Sequence, residues 1–374
     1  MTTRRAFVLG SLAFTACATN ERRRVVREVL PSPAPRPDPG FALVSTPSGW
    51  QDGRVDAPGI LRRPTLAWTT KVGGPVTLPI RTDGARFYVI SGGRLDCLDR
   101  SGQRAWTIGA GAATPVEVGP FGLAMGTTTG GMLLLDPTNG VTVRSHTAGG
   151  TMIGGPVMLD AHLAWVTIDG VVGSTAGWAA EFATSSAGPL ATDGDRWFLA
   201  SLEGELICGR GAEVLWRRGL GGVPAAGPSL DRTGVYVPVA GRGGDPGAVV
   251  AFEREGAPRW STPMPGQPTR GLAVGSAVYV ADRRGAILAL DPRSGREVWA
   301  TDLGTPVTNR PALTRDEQIY LTTADGRFVR LYEDGGQAWD VPVGASISGD
   351  PALVAGLAVL GTVEGNVLAL AEGT

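Results

Sequence analysis

Ala289-Leu290-Asp291-Pro292-Arg293-Ser294-Gly295-Arg296-Glu297-Val298-Trp299 is the stretch whose reading decides the fold. An apolar run enters a turn made of Asp, Pro and Gly, and a second alternating run closes on tryptophan, which is the pattern of a β-hairpin. Read backwards to Gly271, the unit holds four short strands, near 271–274, 277–282, 286–291 and 297–301, each bounded by Gly, Pro, Asp or Arg. Four strands in about forty residues is the content of one propeller blade.

The unit repeats in both directions. A glycine opens an apolar strand at Gly93, Gly130, Gly170, Gly204, Gly247, Gly285, Gly326 and Gly365. A tryptophan closes the unit at Trp68, Trp106, Trp178, Trp216, Trp260, Trp299 and Trp339, with one unit between Trp106 and Trp178 lacking it. A proline starts the next unit at Pro75, Pro115, Pro156, Pro189, Pro228, Pro311 and Pro351, with Gly271 in the one remaining place. Tyr88, Trp165, Phe198, Tyr236, Tyr279 and Tyr320 share a place in the second strand and are expected to pack between blades. The expected fold is all-β, an eight-bladed β-propeller of four-stranded blades. Its last unit stops at Ala371 after three strands, and Leu66-Ala67-Trp68-Thr69-Thr70 is expected to supply the missing one, closing the ring without an open sheet edge.

Composition narrows the partners. Over 374 residues the formal net charge is −1, Lys71 is the only lysine, and the arginines are scattered among acids, so no nucleic-acid footprint is present. Cys17, Cys97 and Cys208 are too few and too far apart for a disulfide framework, and with only His146 and His162 no metal-ligand spacing exists.

The chain falls into three parts. Residues 1–17 begin Thr3-Arg4-Arg5 and continue through an apolar run to Phe14-Thr15-Ala16-Cys17, an export signal too short to span a bilayer. This segment resembles a twin-arginine signal joined to a lipobox, which implies acylation of Cys17 and an outer-membrane lipoprotein; Ala16-Cys17-Ala18 also reads as a cleavage site that discards the thiol. Residues 18–64, with Arg22-Arg23-Arg24 and the alternate prolines from Pro31 to Pro39, read as an extended tether. Residues 65–374 are the propeller.

The 289–299 stretch resembles the tryptophan-docking motif of the pyrroloquinoline quinone (PQQ) propeller superfamily, with weaker copies at Leu98-Asp99-Arg100-Ser101-Gly102-Gln103-Arg104-Ala105-Trp106 and at Leu135-Asp136-Pro137-Thr138-Asn139-Gly140. Two branches are relevant. The quinone-dependent alcohol dehydrogenases carry adjacent cysteines and a metal set that this chain lacks. The BamB-like lipoproteins share the acylated leader and the single ring, and that resemblance implies a non-enzymatic, monomeric scaffold on the periplasmic face of the outer membrane. Its implied partner is the barrel-assembly machine. A propeller oxidoreductase and a carbohydrate or cell-wall binder remain the alternatives.

No phosphate loop, nucleophile elbow or catalytic triad is present, so no catalytic, cofactor or metal residue is assigned. One polar cluster stands out. The residues before the inner strands are Gly74, Thr114, Gly155, Gly188, Gly227, Arg270, Arg310 and Asp350. Arg270, Arg310 and Asp350 are therefore expected side by side at one mouth of the channel, where they suit a carboxylate-bearing or peptide ligand; a plain wet rim in which Asp350 neutralises the arginines is the other reading. The loop from Gly241 to Gly247 is expected to extend that face.

Overall fold

Alternating apolar residues on short strands cannot bury both faces of one small sheet, so each blade must find a neighbour. In the computed structural model, which describes residues 54–55, 57–243 and 245–373, eight antiparallel sheets result. The export signal, Cys17 and most of the tether lie outside the described residues. Blade six has strands Pro268–Val274, Val278–Asp282, Ala286–Leu290 and Glu297–Asp302, within three residues of the sequence expectation. Hydrophobic clusters draw their members from successive blades, as where Tyr279 and Ala289 of blade six pack with Leu313 and Leu321 of blade seven.

The ring closes as expected. Thr65–Lys71 pairs antiparallel with Asn366–Ala371, and Trp68 lies opposite Ala369. The folded part also takes in residues that the sequence assigns to the tether. Ile60 is 1% exposed, its amide donates to the Tyr320 hydroxyl at 2.6 Å, and that hydroxyl donates to the Ile60 carbonyl at 3.1 Å. Arg54–Val55 adds a parallel strand beside Ala312–Thr314 of blade seven. A buried tyrosine hydroxyl needs partners, and a segment just before the ring supplies them.

Blades lock at the outer rim through the tryptophan. The Trp260 indole of blade five donates to the Pro292 carbonyl at 3.1 Å, and Thr262 Oγ1 donates to the Gly295 carbonyl at 2.6 Å. Gly295 has φ 69°, and a Cβ there would stand 2.5 Å from Trp260 Cδ2. Only glycine satisfies both the left-handed backbone and the indole above it. In blade two Arg144 stands opposite Leu134, the place that the docking tryptophan holds in other blades. Met132, Met152 and Trp165 fill the neighbouring cluster instead. Methionine adapts its shape to such irregular gaps.

Candidate functional site

Inner strands meet around a central channel that holds a cavity of about 350 Å³. Arg310 and Asp350 both line it. They are brought together as expected: Arg310 Nε stands 3.5 Å from Asp350 Oδ2, and the Arg310 amide donates to Asp350 Oδ1 at 3.2 Å. Asn309 fixes the backbone here. Its side chain is fully buried, donates to the Arg310 carbonyl at 2.5 Å, and accepts the Thr322 amide at 2.7 Å. Arg270 lies in the strand Pro268–Val274 of the neighbouring blade, and its side chain is outside the described residues.

Arg310 precedes its inner strand, Ala312–Thr314, as expected, whereas the other two do not. Arg270 sits within Pro268–Val274 and Asp350 within Ile347–Val354. The ladder shifts between Pro268 and Leu272 and again between Ser348 and Ala352, so each charged residue lies in a bulge. A bulge adds unpaired residues and re-aims their side chains, which turns Asp350 to the channel wall. Gly349, φ 74°, allows the approach of blade eight to blade one, where a Cβ would meet the Leu78 carbonyl at 2.9 Å.

Two further charged residues line the cavity, and the sequence expectation lacked them: Arg81 and Glu117. The first unit starts at Pro79 and not at Pro75. Leu78 therefore takes the wall place expected for Gly74. An internal match carries the right register, because Thr82-Asp83-Gly84 corresponds to Thr192-Asp193-Gly194 of blade four. In that register Arg81 pairs with Tyr88 and Glu117 with Ala124, whereas other blades place Val157, Ala191, Ser229, Ala273, Ala312 and Ala352 there. Small residues fit the crowded axis. Charged ones at the same place must reach into the cavity.

Both side chains are half-buried by exposure yet lie at the centre of the ring, with protein on every side except the channel. Burial pushes the Glu117 carboxyl up to about 7, with Arg81 pulling the other way. Burial also holds Arg81 below its ordinary pKa; Glu117 opposes this, Arg310 adds to it and Asp350 opposes it. Water in the channel softens such shifts, so their direction carries the argument. Arg81 Nε is buried without an acceptor. Around the ring the charges alternate over four contiguous blades: Arg310, Asp350, Arg81 and Glu117 on blades seven, eight, one and two.

The opposite wall is glycine and proline. Gly155-Pro156, Gly188-Pro189 and Gly227-Pro228 line it, and a Cβ on Gly188 would stand 2.5 Å from the Gly227 nitrogen. Elsewhere, Cys97 and Cys208 are fully buried free thiols whose burial pushes both pKa values up to about 12, so neither is a thiolate near neutral pH. Among the described residues no group of three His, Cys, Asp or Glu side chains could hold a metal ion.

Residues 245–374 match the family model described as "Outer membrane protein assembly factor BamB". A curated relative, outer membrane protein assembly factor BamB of Burkholderia pseudomallei (strain K96243), is 33% identical over 103 residues, 28% of this chain and 27% of the relative. The match thus spans about a quarter of that relative's length. Among solved structures, BamB from Moraxella catarrhalis superposes with a TM-score of 0.67 at 17% identity, covering 83% of this chain and 98% of that one. The computationally designed Ika8 protein gives 0.70 at 12% identity over 82% and 99% of the two chains. Sqt1 of Saccharomyces cerevisiae gives 0.67 at 12% identity over 82% and 98%. These superpositions establish the fold alone, and the sequence similarity to the BamB model is confined to the C-terminal third. The chain is an eight-bladed β-propeller whose C-terminal third, residues 245–374, is similar to the BamB family model.

Proposed function

We propose that this ring is a non-catalytic binding scaffold of the cell envelope that assists outer-membrane protein assembly, held to the outer membrane through a lipid on Cys17. The observation that carries this reading is the BamB match over residues 245–374, which include Arg310 and Asp350. Partner recognition is assigned to the channel face on which the inner strands begin, the Arg270, Arg310 and Asp350 wall included. The loop after Val235–Ala240, between the second and third strands of blade five, belongs to that face by strand direction. Gln267 supports it, donating to the Gly241 carbonyl at 3.2 Å and accepting the Gly241 amide at 3.1 Å. Two inert thiols fit a scaffold better than a thiol enzyme.

A crosslinking pull-down from membranes tests the reading. Wild type is expected to capture the barrel-assembly machine, and the Arg310→Ala, Asp350→Ala double variant to capture at least about tenfold less with an unchanged melting temperature. Cys17→Ser is expected to shift the protein to the soluble fraction. Unchanged capture by the double variant would remove this face from the reading, and no capture by wild type would remove the assembly role.

A further inference from the structure

Arg81 and Glu117 face one cavity from neighbouring blades without pairing. They influence each other electrostatically, yet among the described residues no nitrogen–oxygen approach within 4.0 Å joins them. Arg81 Nε is buried with no acceptor, and Glu117 accepts no hydrogen bond from a described side chain. Elsewhere in the ring this place holds Ala, Ser or Val, so packing does not require either charge. An unpaired buried charge costs stability unless something completes it.

The next pair along the wall, Arg310 and Asp350, already satisfies itself. Arg81 and Glu117 carry opposite charges, so a simple anion is drawn to one and repelled by the other, and so is a simple cation. Only a ligand carrying both signs completes Arg81 and Glu117 together. The cavity of about 350 Å³ lies at the small end of ligand sites, and its opposite wall of glycine and proline offers backbone in place of long side chains.

We propose that the channel binds a small zwitterion of the α-amino-acid type, its carboxylate on the Arg81 guanidinium and its ammonium on the Glu117 carboxylate. Guanidinium and carboxylate form charge-assisted, two-point hydrogen bonds, which a lone point charge does not match. Arg81 and Glu117 share the cavity with Arg310 and Asp350 but stand on different blades, and ligand binding there requires no other protein.

Calorimetric titration of the purified full-length protein tests it, with L-alanine and L-alanyl-L-alanine as probes. N-acetylalanine lacks the ammonium and alaninamide lacks the carboxylate. At least one zwitterion is expected to bind, and both single-charge analogues to bind at least about tenfold more weakly. Arg81→Gln and Glu117→Gln are each expected to weaken the zwitterion by about tenfold or more, with circular dichroism melts confirming the fold. Whichever of the two probes binds more tightly sets the ligand length. Absence of binding by both up to about 10 mM, a range in which even weak ligand sites fill, overturns the proposal, as does equal binding of either single-charge analogue. These outcomes are read without a partner protein, so they stand apart from the pull-down result.

Discussion

The two halves of the channel wall solve the same crowding problem in opposite ways. Across blades three to five the inner strands approach through backbone, and Gly188 and Gly227 leave no room for a Cβ between them. Across blades seven, eight, one and two the wall instead carries Arg310, Asp350, Arg81 and Glu117. The glycine wall serves the ring, because its residues are needed for closure. The charged wall does not, since Ala, Ser and Val fill the Arg81 and Glu117 places in other blades. Function is therefore sought where the repeat departs from what packing asks.

Substitutions on the two walls can break this contrast. The largest effect is expected for Gly188→Val, which places Cβ 2.5 Å from the Gly227 nitrogen; it should lower the unfolding free energy in urea by about 2 to 3 kcal/mol. An unchanged denaturation midpoint would mean that the glycine wall is not closed by backbone contact.

An intermediate effect is expected for Glu117→Gln. The folded-state pKa of Glu117, about 7, lies above its ordinary 4.5, so the folded protein holds the proton more tightly than the unfolded chain. Its contribution to stability therefore falls as pH rises from about 4.5 to about 7. Glutamine removes that slope. The variant should match wild type near pH 4 and exceed it by about 1 to 2 kcal/mol near pH 8, the value being reduced for channel water. A wild-type stability curve with the same slope as the variant's would show that the carboxylate is fully solvated.

The smallest effect is expected for Arg310→Ala. Its ion pair with Asp350 is partly exposed at 3.5 Å, so the unfolding free energy should change by less than about 1 kcal/mol. A loss of several kcal/mol would make this pair structural and move the charged wall into the same class as the glycine wall.

The Arg310 and Asp350 wall was legible because each stands directly before a proline in a repeat of clear period. Arg81 and Glu117 were not, for a physical reason. Pro75 mimics the unit's opening proline, whereas the backbone enters blade one at Pro79, and the error hides which residue reaches the axis. The tether boundary failed differently: Ile60 is buried because the Tyr320 hydroxyl, 260 residues away in sequence, needs a partner.

By itself the sequence determined the strand period, the count of eight, the tryptophan that closes a unit and the strand that closes the ring. Each follows from local chemistry repeated at fixed spacing. Only the tertiary structure decided which side chains share the cavity. Bulges in the inner strands and the register of the first blade set their direction, and those depend on how eight blades crowd one axis rather than on any single repeat.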